Sequence, residues 1–168
     1  MTPSIEMASA AIHAPGGRPL FEGLNLRLSA ERVAIVGRNG VGKSLLLATL
    51  AGVHEPERGS VTTRGRRHFV PQELASAANG TPASALSNGE RRRCALAEAE
   101  QAGADILLLD EPTEDLDDEA LFWLRRWLRA WPGCLLVASH DRRLLADFVI
   151  SSSTVNRAVT TSTAPFRN

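Results

Sequence analysis

The stretch Val33-Ala34-Ile35-Val36-Gly37-Arg38-Asn39-Gly40-Val41-Gly42-Lys43-Ser44, continuing as Leu45-Leu46-Leu47-Ala48-Thr49-Leu50-Ala51-Gly52, decides the fold. Its first four residues are a continuous apolar run, the pattern of a strand buried on both faces of a parallel sheet. Ser44 to Ala51 reads as an apolar helix closed by Gly52. Between strand and helix, Gly37 to Ser44 matches the spacing G-x-x-x-x-G-K-S, whose glycines let the chain curl until successive N–H groups point inward. The helix that follows aims the positive end of its dipole at the same point. The segment therefore reads as a phosphate cradle built from Gly37, Asn39, Gly40, Val41, Gly42, Lys43, Ser44 and Leu45. Lys43 is the single lysine beside eighteen arginines, and it stands where an ammonium has to reach the β- and γ-phosphates of a nucleotide. In the same scheme the Ser44 hydroxyl is a magnesium ligand.

A second apolar strand, Ile106-Leu107-Leu108-Leu109, ends in Asp110-Glu111. Asp110 is placed to hold magnesium through its water shell, and Glu111 to orient or deprotonate an attacking water. Around these two strands the pattern predicts the rest of a sheet. Ser4 to Ile12 and Leu20 to Leu28 alternate on either side of the breaker run Ala14-Pro15-Gly16-Gly17-Arg18-Pro19, which predicts a hairpin-like pair. His68-Phe69-Val70 and Leu135 to Ala138 are further short strands. Helices are predicted over Asn88 to Gln101, Glu119 to Trp131 and Arg142 to Phe148. Glu55 to Arg67 reads as a polar connection, with Glu73 to Ala85 as a loop or vestigial helix. Strands alternating with helices predict an α/β fold: a mainly parallel sheet with right-handed crossovers, preceded by an antiparallel β element.

Composition bounds what such a fold can do. A chain of 168 residues, 43% hydrophobic and 23% charged, suits one globular core and is short for two. Residues 1–150 are expected to form one domain, with 73–100 as a reduced helical region and 151–168 as a Ser/Thr-rich tail. Nineteen basic and nineteen acidic residues cancel, so no global field draws the protein to nucleic acid or an anionic membrane. Cys94 and Cys134 lack metal-ligand spacing and read as small buried hydrophobes of a reducing compartment. With no signal-peptide pattern and no apolar run of membrane-spanning length, a cytoplasmic location without membrane insertion is expected. Trp123, Trp127 and Trp131 recur every four residues beside Leu124 and Leu128, which suits core packing better than an exposed partner surface. Arg64-Gly65-Arg66-Arg67 and Arg91-Arg92-Arg93 read as solvated faces rather than RNA contacts, since no aromatics interleave them.

Four further segments carry a family resemblance. Leu86-Ser87-Asn88-Gly89-Glu90 is similar to the signature motif of ATP-binding cassette (ABC) ATPases, and His68-Phe69-Val70-Pro71-Gln72 resembles their Q-loop. Glu111-Pro112-Thr113-Glu114-Asp115-Leu116-Asp117 resembles the acidic strand end passing into a D-loop, and Ser139-His140-Asp141-Arg142-Arg143 resembles an H-loop. With the phosphate loop, all five elements stand in cassette order over residues 5–150, within the P-loop NTPase fold. The last two forms are most similar to the ABC-F branch, soluble cassettes associated with translation.

The resemblance implies ATP and Mg2+ as cofactors and hydrolysis of ATP to ADP and phosphate by in-line water attack. By it, Gln72 joins Ser44 and Asp110 around the magnesium, His140 hydrogen-bonds the γ-phosphate, and Glu111, His140 and Gln72 form the catalytic set. It also implies a partner, a second copy or another ABC cassette, arranged head to tail so that Ser87, Gly89 and Asp117 face nucleotide held by the other subunit. Ribosome or RNA contact follows from the ABC-F likeness, and a permease partner fits less well. The rival readings are a hydrolysis-poor nucleotide-binding module or cassette remnant, and the ATP-binding subunit of a transporter.

The chain departs from the family pattern in three places. Asn88 stands where the family has glycine; the expectation is a left-handed backbone there, which asparagine tolerates better than most residues, so that Asn88→Gly would strengthen a closed dimer. Gln72 and Leu86 are 14 positions apart, in an interval where the family places a multi-helix subdomain. There is no tyrosine, and the family's base-stacking aromatic falls at His13, readable either as a stacking ring or as a loop histidine.

Overall fold

The computed structural model describes residues 2–29, 32–74 and 86–146. In chain order the elements are β1 (Ser4–His13), β2 (Pro19–Ser29), β3 (Arg32–Ile35), α1 (Lys43–Ala51), β4 (Arg58–Arg64) and β5 (Arg67–Val70). They continue with α2 (Asn88–Gln101), β6 (Ile106–Asp110), α3 (Asp118–Ala130), β7 (Cys134–Ala138) and α4 (Arg142–Leu145). Every residue of β6 and β7 is buried, as two-sided strands require. They form the centre of a four-stranded sheet in the order β3-β7-β6-β5, parallel throughout.

The period of two sorts the side chains of these strands between two cores. Ile106, Leu108, Leu136 and Ala138 face one side, where they meet α1 residues Leu46, Leu47 and Leu50 and the inner faces of β1 and β2. Leu107, Leu109, Leu135 and Val137 face the other, with Leu96 and Ala99 of α2, Leu124 and Leu128 of α3, and Leu144 of α4. Trp131 is buried in this second core, and Trp123 and Trp127 pack against it as a stacked ladder with centroid spacings of 6.4 and 5.2 Å. The α/β class, the parallel sheet flanked by helices and the antiparallel element are thus present.

The antiparallel sheet has the order β2-β1-β4. The turn between β1 and β2 closes with Ala14 N–H donating to the Arg18 carbonyl at 2.8 Å and Gly17 N–H to the Ala14 carbonyl at 2.9 Å. β4 corrects the reading of Glu55 to Arg67 as a mere connection. It is an edge strand whose residues are exposed or half-buried, so Arg, Ser and Thr occupy it and no apolar alternation betrays it. Gly59 fits where it crosses an irregularity in β1: at φ 80°, a Cβ there would lie 2.4 Å from the Ala8 carbonyl oxygen.

The start of α2 supplies a second correction. Asn88 is the first helical residue and has no positive φ. Ser87, at φ −64° and ψ 161°, is the cap: its hydroxyl accepts from Glu90 N–H at 3.2 Å, and the Glu90 carboxylate accepts from Ser87 N–H at 2.8 Å. Asn88 therefore stores no left-handed strain, and the Asn88 amide oxygen accepts from the Arg91 guanidinium. Arg92 corrects the solvated reading of its triplet, being 4% exposed. Cys134 is buried and Cys94 half-buried.

Residues 75–85, most of the expected loop or vestigial helix, lie outside the described residues, as do Asp147 and Phe148 of the last expected helix and the 151–168 tail. Among the described residues no helix is long and apolar enough to cross a membrane.

Candidate functional site

Because β3, β7, β6 and β5 run parallel, their carboxyl ends share one edge of the sheet. Register sets what emerges there: Ile35 and Asp110 both pair with Ala138, and Val70 pairs with Leu109. The loop after Ile35, the pair Asp110-Glu111, Ser139-His140 and Pro71-Gln72 consequently leave the sheet side by side, where open α/β sheets place ligands. They surround a cavity of about 730 Å³ lined by Asn39, Gly40, Gly42, Lys43, Ser44, Leu45, Gln72, Asp110, Glu111 and His140 among others.

Gly42 ends the loop and caps α1 with φ 100°. The backbone angle demands glycine, and a Cβ at this position would also crowd Leu20 Cδ1 at 2.9 Å and Phe21 Cε2 at 3.0 Å. Immediately after it Lys43 is nearly buried and folds back on the loop. Its Nζ donates to the Gly37 carbonyl at 2.8 Å and the Arg38 carbonyl at 3.4 Å, and lies 3.8 Å from Glu111 Oε1. Glu111 sits at φ 40°, a left-handed backbone unusual for a long side chain, and its N–H is held by the Ala138 carbonyl at 2.8 Å. Its second oxygen, Oε2, is 3.0 Å from His140 Nδ1 and accepts from His140 N–H at 3.3 Å.

Asp110 is buried, and one carboxylate oxygen, Oδ1, has no hydrogen-bond partner among the described residues. Burial pushes its carboxyl above the usual range, aided by the adjacent Glu111; a hydrogen bond from Ser44 and the charges of Lys43 and Arg92 oppose this. Behind this floor Arg92 donates from Nη1 to the Pro71 carbonyl at 3.1 Å and from Nη2 to the Gln72 carbonyl at 3.3 Å. Burial lowers its pKa, with Glu114 and Asp110 holding the charge in place. The Gln72 side chain turns to Glu114, its Nε2 donating to Oε2 at 2.6 Å.

Not all the residues singled out by sequence meet here. Gly37 reaches the site through its carbonyl, and Val41 is exposed on the outside of the loop. Ser87, Gly89 and Asp117 are not among the residues lining the cavity. Ser87 is engaged in capping α2, Gly89 packs where a Cβ would come within 3.0 Å of Ala120 Cβ, and the Asp117 carboxylate caps α3 by accepting from Ala120 N–H at 2.7 Å. Nor does His13 line the cavity, its Nε2 being 3.1 Å from Glu22 Oε1. The wall on that side comes instead from Ala14, Pro15, Arg18 and Leu20. These four, Glu114 and the floor clamp Arg92 are site residues that sequence reasoning missed. Only Glu114 offered a signal, an acidic residue three positions beyond Glu111 in the turn that leaves the sheet.

Comparison with known proteins identifies the family. The family model described as ABC transporter matches residues 21–77 and 72–114. The energy-dependent translational throttle protein EttA of Mycobacterium tuberculosis is 34% identical over 170 aligned positions, which take in 77% of this chain and 30% of that protein. The ATP-binding protein Uup of Caulobacter vibrioides is 38% identical over 163 positions, 79% of this chain and 27% of that protein. The chain thus spans about 30% of the length of the curated relatives it matches. Since 77% of 168 residues is about 129, some 41 of the 170 positions aligned with EttA are residues this chain lacks or skips. A bacterial Atm1-family ABC exporter solved with ATP bound has the same fold, with a TM-score of 0.75 at 20% identity, covering 88% of this chain and 36% of the exporter. The chain belongs to the ATP-binding cassette family, and the relatives EttA and Uup are ABC-F proteins.

Proposed function

We propose that the chain binds MgATP in the cavity at the sheet edge and hydrolyses it to ADP and phosphate, with head-to-tail pairing to a second cassette as the gate. The observation that carries this reading is the convergence of Lys43, Ser44, Gln72, Asp110, Glu111 and His140 on that one cavity. Lys43 holds its ammonium against loop carbonyls, a place that phosphate oxygens would take over. The unpartnered Asp110 oxygen and the Ser44 hydroxyl bonded to Asp110 are the oxygen donors that suit magnesium. When bound, the ion would neutralise charge on the β- and γ-phosphate oxygens.

Glu111 is the base in this reading. Its backbone is fixed by Ala138, one oxygen faces Lys43 and the other His140, so its carboxylate is oriented before any water arrives. His140 meets Glu111 through Nδ1 and keeps Nε2 for a γ-phosphate oxygen. Gln72 has to leave Glu114 to face the metal and the water, a side-chain rotation that links nucleotide arrival to the Pro71-Gln72 segment. Ser87, Gly89 and Asp117, away from their own chain's cavity, are offered to a partner's nucleotide.

Purified chain should hydrolyse MgATP while Glu111→Gln binds ATP and does not turn it over, because an amide keeps the shape and cannot accept the proton. Equal turnover by the two proteins would remove Glu111 from the mechanism. Lys43→Ala should abolish tight ATP binding by calorimetry, and unchanged affinity would remove the phosphate-loop assignment. The shortened interval between Gln72 and Leu86 favours a second reading, a module that binds nucleotide and closes poorly; ATP binding without turnover in the unmodified chain would favour it. The name of EttA ties that relative to translation, and we place this chain's work there as well, as one cassette of a pair with ribosome or RNA contact made by the assembly.

A further inference from the structure

The cavity wall contributed by the β1–β2 turn has no aromatic ring. Ala14, Pro15 and Leu20 are aliphatic; His13 is held by Glu22 at 3.1 Å and lies outside the lining, as does the buried ring of Phe21. Phe69 does line the cavity, but it belongs to β5, immediately before Val70-Pro71-Gln72, and is partly buried against the core under α1. Its place is therefore at the Gln72 end. That leaves Arg18, which is exposed on the turn with its own carbonyl fixed by Ala14 N–H at 2.8 Å. Lys43, Gln72, Glu111 and His140 are each engaged with a neighbour, whereas the Arg18 guanidinium makes no hydrogen bond or ion pair among the described residues.

We propose that Arg18 is the base-binding residue of this site, its guanidinium plane stacking on the nucleobase over an aliphatic floor of Pro15 and Leu20. A guanidinium is flat, weakly hydrated and cationic, and it stacks on π-faces as an aromatic side chain does. Stacking grips a base without reading its edge, since every base has a π-face. Two consequences follow: Arg18 contributes affinity through the base rather than through the phosphates, and ATP and GTP bind with affinities within about threefold of one another.

The inference rests on the reading of the cavity as a nucleotide site, and the test separates the two. ATP, GTP and inorganic tripolyphosphate are titrated by calorimetry into the unmodified chain and into Arg18→Ala, Arg18→Lys and Arg18→Tyr. The residue is exposed on a turn, so these variants should keep the fold, which thermal melting checks directly. Arg18→Ala should weaken ATP and GTP by about fivefold and leave tripolyphosphate within about twofold. Arg18→Lys, which keeps the charge and loses the plane, should resemble the alanine variant, while Arg18→Tyr should restore binding. Rescue by lysine with a parallel loss of tripolyphosphate would overturn the proposal and make Arg18 a phosphate contact. A preference for GTP of more than about tenfold would also overturn it, because that is the mark of bidentate reading of the guanine edge. A chain that binds tripolyphosphate and gains nothing from adenosine would overturn the base site and keep the phosphate loop; one that binds neither would overturn both.

Discussion

At the scale of single residues, what was legible follows from how narrowly chemistry restricts each position. Only an ammonium on a flexible stem serves at Lys43, only a short hydroxyl at Ser44, and carboxylates at Asp110 and Glu111, so those four stood out before any coordinates. Arg18 did not, because its importance comes from reaching the shared cavity across a turn that carries no fixed spacing. Asp110 shows what such a site costs the fold. Its buried carboxyl has a raised pKa, so the folded state holds the proton more tightly than the unfolded chain does. The stability linked to that proton is fully present below the ordinary carboxylate range and is lost as pH rises through the raised value, leaving a buried charge above it. Asp110→Asn keeps an acceptor for the Ser44 hydroxyl and removes that charge. It should melt at a higher temperature than the unmodified chain at pH 7 without ligand, with the gap closing in acid, while losing any gain in ATP affinity from magnesium. Melting curves between pH 4 and pH 7 check the first half and calorimetry with and without magnesium the second; a gap independent of pH would show that ionisation is not its cause.

At the scale of elements, the two-sided strands were legible and β4 was not. β6 and β7 must be apolar at every position because both faces are covered, whereas β4 is held by backbone pairing to β1 and leaves its side chains free to be Arg, Ser and Thr. The same blindness applied to Arg92, one of three consecutive arginines indistinguishable by composition. The periodicity of α2 turns this one inward, where its fork spans the Pro71 and Gln72 carbonyls. Arg92→Ala would leave two carbonyls without donors and open a void beneath the cavity floor, a loss of about 3 to 5 kcal/mol by analogy with broken buried charge networks. For a chain of this size that corresponds to a melting temperature lower by on the order of 10 °C. Arg91→Ala and Arg93→Ala should each cost about 1 kcal/mol or less, since Arg91 bonds to Asn88 within the same turn and Arg93 lies over Trp123 at 5.0 Å. Equal losses across the three would mean that Arg92 is no clamp. The cap of α2 argues against another substitution: with Asn88 already helical, Asn88→Gly relieves no strain and should lower stability by up to about 1 kcal/mol.

At the scale of the whole molecule, the sheet order β3-β7-β6-β5 is the property that no local pattern contains, because it arises from which strand each crossover lands beside. That order brings the phosphate loop and the acidic pair to one cavity and leaves the start of α2 outside it. Under the proposed reading, the backbone N–H groups after Ser87 form a helix end that could receive an anion but lies outside this chain's own cavity, which is why a second cassette enters the proposal. If that end closes over a partner's ATP, trapping the nucleotide should hold the pair together. Glu111→Gln should therefore sediment as a dimer with MgATP and as a monomer with MgADP or without nucleotide, because only the γ-phosphate supplies charge at the shared face. Ser87→Ala would remove the cap from α2 and confound folding with pairing, so Gly89→Ala is the companion variant. The Cβ it adds would lie about 3.0 Å from Ala120 Cβ, a contact that a shift of a few tenths of an ångström accommodates, and it stands in the first turn that would face the partner's phosphates. It should weaken the ATP-dependent dimer while leaving ATP binding to the monomer unchanged. A chain that stays monomeric with trapped ATP would leave the lone cavity as the whole site, and the reading would pass from a gated hydrolase to a nucleotide-binding module.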